Sequence, residues 1–402
     1  MTQASAAPAP EVKIAVIADC KGPLAGDYQA ALAGANAAFS QFAPRGAGGA
    51  TLVFTDPSCG DGSPQTITRE LERLLVEQDA DVLVGPASGD EAVAATMWAR
   101  SHPAKTIVLG TAASQEPTMQ MARRNVFRYH GDAVQWQAGL GEYLYRKRGW
   151  RTAAVIADDY GAGWTAAAGF VADFCAIGGK ITTRVFPPNG TTDWASYVRQ
   201  LPAPSAVDGY FWAVGGAGVQ AAASAFALVY GAPNPREHAG TLRLVGSFLS
   251  GRGVGPYLQT PAAATYRRIL KRWQPSVVAE SEPVVDYYRA ARALVEGLER
   301  SKGRAGAPLH AAMPRTINDP YGRVRLDSRR QAVQDQWVLQ ATTNDVRPVA
   351  NVPALDQTFG GVFGPKKPAP GRAFPACVKR KLPWQGKLRA VRNGKVTTQL
   401  VK

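Results

Sequence analysis

Short runs of β-branched and aliphatic residues alternate with longer stretches of helical periodicity through roughly the first 245 residues, and few folds accept that alternation. Strands are expected at Lys13–Ala18, Thr51–Thr55, Val82–Val84 and Thr106–Leu109, with helices near Asp27–Gln41, Gln65–Glu77 and Asp90–Ala99. A strand, a helix and a second strand at a spacing of about thirty residues form a right-handed crossover, so the strands should lie parallel beneath helices on both faces.

After Val126–Tyr129 the pattern restarts. A helix near Ala133–Arg148 leads to strand Thr152–Ala157, helix Gly163–Ala176, strand Ile181–Val185, helix Trp194–Leu201, strand Gly209–Val214, helix Gly218–Leu228 and strand Leu242–Val245. Two similar halves within 402 residues mean two cores. Glu282–Arg300 reads as a helix, with Pro283 in its first turn, apolar residues at helical spacing and Gly303 closing it. Two strands, Arg323–Leu326 and Gln336–Gln340, follow, and beyond Asn351 rising Pro, Gly and basic content predicts a poorly regular extension. The fold class is α/β: two lobes with parallel central sheets joined by three crossovers near residues 130, 250 and 330. Residues 12–130 with 252–328 form lobe one, 131–251 with 329–350 form lobe two, and 351–402 are a basic extension packing on lobe two.

A net charge of +15 raises the question of nucleic acid. Eleven Lys or Arg and no acid occur from Lys366 to Lys402, which leaves only about +4 for the other 365 residues. The charge belongs to the tail, which faces either solvent or an acidic or anionic surface, with Pro383 and Trp384 pointing to partial packing; no nucleic-acid partner is expected. Apolar runs are strand-sized, so a soluble protein is expected. The opening MTQASAAPAPE lacks the basic start and apolar stretch of an intact signal peptide and has the small residues left behind a cleavage site, in keeping with export. The four cysteines have no metal spacing. Cys20 and Cys59 follow strands expected to be neighbours, so either a disulfide or two buried thiols fits; Cys377 has Cys175 as a candidate partner.

Ligands in such sheets bind outside the carboxyl ends of the strands. The loops there are Asp19 to Tyr28, Gly85 to Asp90 and Gly110 to Ser114, all small, Gly-rich or hydroxyl-bearing, so backbone N–H groups are accessible to a carboxylate or amide. Asp27, Asp90 and Glu91 offer charge for a cationic group, or simply favour helix N-termini. Gly216-Ala-Gly218-Val-Gln-Ala221 matches a dinucleotide fingerprint, but the next strand ends in Gly246 and Ser247 instead of the acid that holds a ribose. No GxSxG, HExxH or P-loop occurs, and His130 is expected at a hinge, so no catalytic residues, metal or cofactor are assigned.

The succession KIAVIADCKGPLAGDYQAALAGANAA, DADVLVGPASGDEAVAA, TIVLGTAASQEPT, VFRYHGDAVQ and RTAAVIADDYGAGWTAAAGF resembles the type I periplasmic substrate-binding proteins of ABC transporters, in the branched-chain amino acid and amide group. SEPVVDYYRAARALVEGLERS and DPYGRVRLDSRRQ resemble that family's late helix and strand pair, and the resemblance spans about residues 12–342. It implies Rossmann-like lobes, a carboxylate held by Ser88, Gly89 and Asp90 and by Thr111, Ala112, Ala113 and Ser114, and Tyr160 closing over the ligand. Where the family's amino acid binders place an ammonium-holding glutamate, Val245-Gly-Ser-Phe248 stands instead. Asp27, Tyr28, Tyr129, Gly216 and Phe248 complete the expected ligand set, its rings suited to a planar or apolar solute; Trp164 is read as either cleft or core. The expected protein is a periplasmic monomer, not an enzyme. It captures a small carboxylate, aromatic acid, amide or amino acid, passes it to an ABC permease and meets the membrane only through that permease. A ligand-sensing regulator of the same fold and an NAD-dependent enzyme using Gly216 and Gly218 are the alternatives.

Overall fold

The structure, a computed structural model, describes residues 9–216, 218–231, 244–245, 261–279, 281–320, 322–341, 346–393 and 395–401. Phe248 and the crossover expected near residue 250 lie outside the described residues.

The first sheet is parallel. Strand β1 (Glu11–Asp19) pairs with β2 (Thr51–Phe54) and β3 (Ser58–Gly60) on one side and with β4 (Val82–Val84) on the other, and β5 (Thr106–Val108) and β6 (Val126–Phe127) follow. Alternate side chains of β1 feed two cores, as a period of two requires. Ile14, Val16 and Ala18 meet α1 (Tyr28–Phe42) and the late helix α10 (Glu282–Ser301). Ala15 and Ile17 face the core shared by α2 (Pro64–Leu71) and α3 (Gly89–Trp98). Pro283 sits in the first turn of α10, and Lys302 closes it in the left-handed region at φ 56°.

The second sheet runs β10–β9–β7–β8, also parallel, from β7 (Thr152–Ala157), β8 (Lys180–Val185), β9 (Tyr210–Ala213) and β10 (Leu244–Val245). Helix α6 (Gly161–Ala176) covers one face; α7 (Trp194–Val198) and α8 (Gly218–Tyr230) cover the other. α4 (Glu116–Met119) lies before β6. The helix expected over Ala133–Arg148 is interrupted: a 3-10 turn at Gln135–Gln137 gives way to Gly139 at φ +83° before α5 (Leu140–Lys147) begins. α9 (Pro261–Trp273) is a helix the apolar pattern did not disclose.

The tail differs most from expectation. β11 (Thr316–Asp319), β12 (Gly322–Leu326), β13 (Ala332–Ala341), β14 (Val346–Leu355), β15 (Arg389–Arg392) and β16 (Lys395–Leu400) form a third, antiparallel sheet in sequence order, so the extension contributes regular strands. Its Phe359, Phe363, Leu382, Trp384 and Leu388 share a core with Ala168, Ala172 and Ala176 of α6. Cys377 is disulfide-bonded to Cys175 of that helix, and the Trp384 indole donates to Asp173 Oδ1 at 2.8 Å. No described helix is long and apolar enough to cross a membrane.

Candidate functional site

The carboxyl ends of both parallel sheets face one seam. On the first-lobe side, β1 and β3 run in register to Asp19 and Gly60, and a Cys20–Cys59 disulfide, with Cα atoms 5.2 Å apart, ties their ends together. Asp19 is 1% exposed and lies against the fully buried Glu91 in the first turn of α3. Glu91 accepts the N–H groups of Gly62 (3.1 Å) and Asp61 (3.3 Å). Burial raises both acids, and the neighbouring negative charge of Asp19 raises Glu91 further, so Glu91 keeps the proton that the pair shares.

Ser88 stands at the N-cap of α3 but does not cap it; its hydroxyl points to the Gly62 carbonyl at 3.4 Å. Gly89 packs against Ser114 Oγ, which a Cβ at Gly89 would meet at 2.1 Å. The loop after β5 therefore lies directly on the start of α3. Thr111 Oγ1 and Ser114 Oγ are buried there with no hydrogen-bond partner among the described residues. Ala112 packs its side chain into the core, so this position can offer only its backbone. Ala113 holds the next segment through its carbonyl, which accepts from Ala133 at 2.9 Å. Asp27 and Tyr28 open α1, both half-buried, and burial raises both.

On the second-lobe side, β7 runs into Asp158, which is 4% exposed and whose Oδ2 accepts the Gly215 N–H at 2.8 Å. Burial pushes Asp158 up to about 7. Tyr160 occupies the N-cap of α6 in extended conformation. Its hydroxyl is raised well above the usual range, first by burial and then by the charges of Asp158, Asp90, Asp19 and Asp27. Trp164, half-buried one turn on, donates to Asp159 Oδ1 at 2.9 Å. Arg372 of the extension also reaches Asp159, with Nε 2.8 Å from Oδ1.

The two sides touch. The Gly161 N–H, at the positive end of the α6 dipole, donates across the seam to Asp90 Oδ1 at 3.1 Å. Gly216, at φ +54°, backs onto Pro23, whose carbonyl oxygen would lie 2.0 Å from an added Cβ. The lobes are thus closed on each other around Tyr160.

Matched against known families, residues 11–345 fit the model described as periplasmic binding protein. The chain belongs to the periplasmic binding protein family. Among solved structures, a Rhodopseudomonas palustris ABC-transporter solute-binding protein in complex with benzoate superposes with a TM-score of 0.76 at 19% identity, covering 86% of this chain and 98% of that one. A second solute-binding protein from the same organism, in complex with 4-hydroxybenzoate, gives 0.74 at 18% identity with the same coverages. A leucine-binding protein from Thermotoga maritima gives 0.68 at 16% identity, covering 85% and 99%. No curated protein matches the chain by sequence.

In this periplasmic binding protein two expectations need correction. Tyr129 is not a cleft residue: it is 1% exposed within the first-lobe core and its hydroxyl donates to the Pro314 carbonyl at 2.8 Å. The Gly216–Gly218 turn is not a phosphate cradle, since Gly216 presses on Pro23 and Gly218 on the Trp194 ring. Close packing explains both glycines.

Asp158, Gly161 and Arg128 are seam or hinge residues that the sequence pattern did not single out, and Asp19 was marked only as the start of a strand-end loop. Arg128 is fully buried beside the hinge; its guanidinium donates to the Ala112 carbonyl (3.0 Å), to the Ser114 carbonyl and to Thr118 Oγ1 (2.6 Å), with Gln331 Oε1 as a fourth acceptor. Gln331 in turn donates to the His130 carbonyl at 2.7 Å. His130 is buried and held well below its ordinary pKa, chiefly by burial and then by Arg128. The signal for Asp158 was present, an acid immediately after a strand in Ala157-Asp-Asp-Tyr160, but strand-end acids are common. Nothing local marks Gly161.

Proposed function

We propose that this protein captures a small organic solute between its two lobes, outside the cytoplasm, and hands it to the permease of an ABC importer. The observation that carries the reading is the seam: the strand-end loops of one lobe meet the N-terminus of α6 in the other through Asp90 and Gly161, with Tyr160 enclosed between them. A ligand resting on the first-lobe loops would be covered by hinge closure of the second, which excludes water and strengthens each polar contact. Ser88, Gly89, Asp90, Thr111 to Ser114, Tyr28 and Tyr160 are the contacts proposed, and micromolar affinity, about 8 kcal/mol, suffices for uptake.

The benzoate and 4-hydroxybenzoate held by two of the similar structures, and the leucine after which the third is named, set the size of solute to try first. Two disulfides among the described residues suit an oxidising compartment and favour transport over cytosolic sensing. A thermal-shift screen over amino acids, aromatic acids, amides and amines tests the reading. A stabilising solute whose affinity falls at least tenfold in Tyr160→Ala is the expected result; unchanged affinity in Tyr160→Ala would remove the cleft from the account.

A further inference from the structure

We propose that the captured solute is a cation, an amine, amidine or guanidine, whose positive group is held by Asp158 from the second lobe and Asp19, Asp27 and Asp90 from the first. This rests on solute capture at the seam and adds the sign of the ligand's charge.

The four carboxyl groups come from four separate places in the chain: the Tyr160 N–H donates to the Asp158 carbonyl at 2.9 Å, Asp90 Oδ1 accepts from the adjoining Gly161 at 3.1 Å, and the charges of Asp19 and Asp27 also act on the Tyr160 hydroxyl. No Lys, Arg or His among the described residues pairs with any of the four, and the charges acting on Asp19 are those of other acids, Asp61 and Asp27. Arg128, the cation nearest the loop after β5, is spent on carbonyl and side-chain oxygens at the hinge. Ionised acids crowded in a low-dielectric seam are unfavourable unless they take up protons or an opposite charge arrives.

Two unpartnered groups point to a ligand independently of the charge count. Ser114 Oγ is fully buried, has no hydrogen-bond partner among the described residues, and faces the same side of Gly161 as Asp90 Oδ1. Asp19, 1% exposed beside Gly62 and Ser88, receives no N–H at either oxygen from the described residues and shares a proton with Glu91. An ammonium or amidinium brings several donors and no acceptor, which is what a hydroxyl lone pair and carboxylate oxygens can use. The half-buried rings of Tyr28 and Tyr160 add faces on which a cation can rest. At pH 8, above the raised values of Asp19 and Asp158, a carboxylate at this position would instead meet like charges.

The test uses pairs of matched shape and opposite charge on the full chain. Benzamidine and benzoate differ mainly in sign, and putrescine and agmatine extend the cations without a ring. Calorimetry and thermal shift at pH 8 are expected to show binding of at least one cation and none of benzoate, with Asp158→Asn and Asp90→Asn each weakening the cation tenfold or more. The melting temperature of the unliganded variants should hold or rise, which separates lost binding from lost folding. Benzoate binding as well as or better than benzamidine, or failure of every cation, overturns the assignment. If benzoate binds and Tyr160→Ala abolishes it, solute capture stands and only the sign is wrong; if whatever binds is indifferent to Tyr160→Ala, capture at the seam falls too.

Discussion

At Gly161 an added methyl would meet Ser114 Oγ at 2.4 Å and Asp90 Oδ1 at 2.7 Å, and both obstacles belong to the opposite lobe. They vanish when the lobes part. Gly161→Ala should therefore leave the unfolding midpoint of the unliganded protein nearly unchanged and weaken solute binding about tenfold or more, since each tenfold is about 1.4 kcal/mol of closure lost; calorimetry against a denaturant curve checks it. Asp158 gives a pH prediction. Its pKa rises from 3.8 to about 7 on folding, so between those values the folded state holds more protons than the unfolded one, and stability contributed here falls as pH rises from about 4 to about 7. Asp158→Asn should thus stabilise the unliganded protein more at pH 8 than at pH 4, as paired thermal melts would show. For a cationic solute the same titration works in reverse: affinity should grow from pH 5 to pH 8 as Asp158 and Asp19 ionise, with Glu91, Asp27, Asp61, Asp90 and Tyr160 the titratable neighbours.

At the scale of elements, α6 is the busiest helix, buried along nearly its whole length. Its Phe170 and Phe174 face the second sheet while Ala168, Ala172 and Ala176 face the extension. A helix that is apolar all round shows little periodicity, so in the sequence only the candidate Cys175–Cys377 pair, and no apolar stripe, tied this helix to the extension. Trp384 joins the two: it is 4% exposed, and its indole satisfies an acid that burial pushes up to about 7. Trp384→Ala should cost about 3–5 kcal/mol in urea unfolding, from the cavity and the loss of the donor to Asp173 Oδ1 together, and Trp384→Phe should cost less. Strands and most helices, by contrast, were legible, because strand runs such as Val82–Val84 and the stripe of Glu282–Arg300 are local patterns. Gly139 broke the expected helix at Ala133–Arg148 for a tertiary reason: a Cβ there would meet Leu388 and Val352 from the tail.

On the scale of the whole molecule, residues 346–402 lie beyond the family model yet are built into the body of the protein. They supply three strands of the third sheet and a disulfide to α6, and Gln357 reaches the hinge, where its amide donates to the Thr118 carbonyl at 3.3 Å. Ending the chain at residue 345 should therefore abolish cooperative unfolding of the second lobe and leave a species that binds a hydrophobic dye, although every residue matched by the family model is kept. Intact cooperative melting of that truncation would show the extension to be an ornament. Much of the +15 charge sits on this tail, so its exposed lysines and arginines give the second lobe a basic surface while the seam remains acidic.

The sequence by itself determined the alternation of elements, the two-lobed α/β class, the family and the loops at the strand ends, because hydrophobic period and turn chemistry are written within a few residues of one another. Only the tertiary structure decided which of those loops meet. Asp90 and Gly161 are 71 positions apart, Trp384 and Asp173 are 211 apart, and no local pattern announces either pair. The gathering of Asp19, Asp27, Asp90 and Asp158 around one tyrosine has the same origin: each is an ordinary acid at a strand or helix end until closure of the lobes removes water from between them.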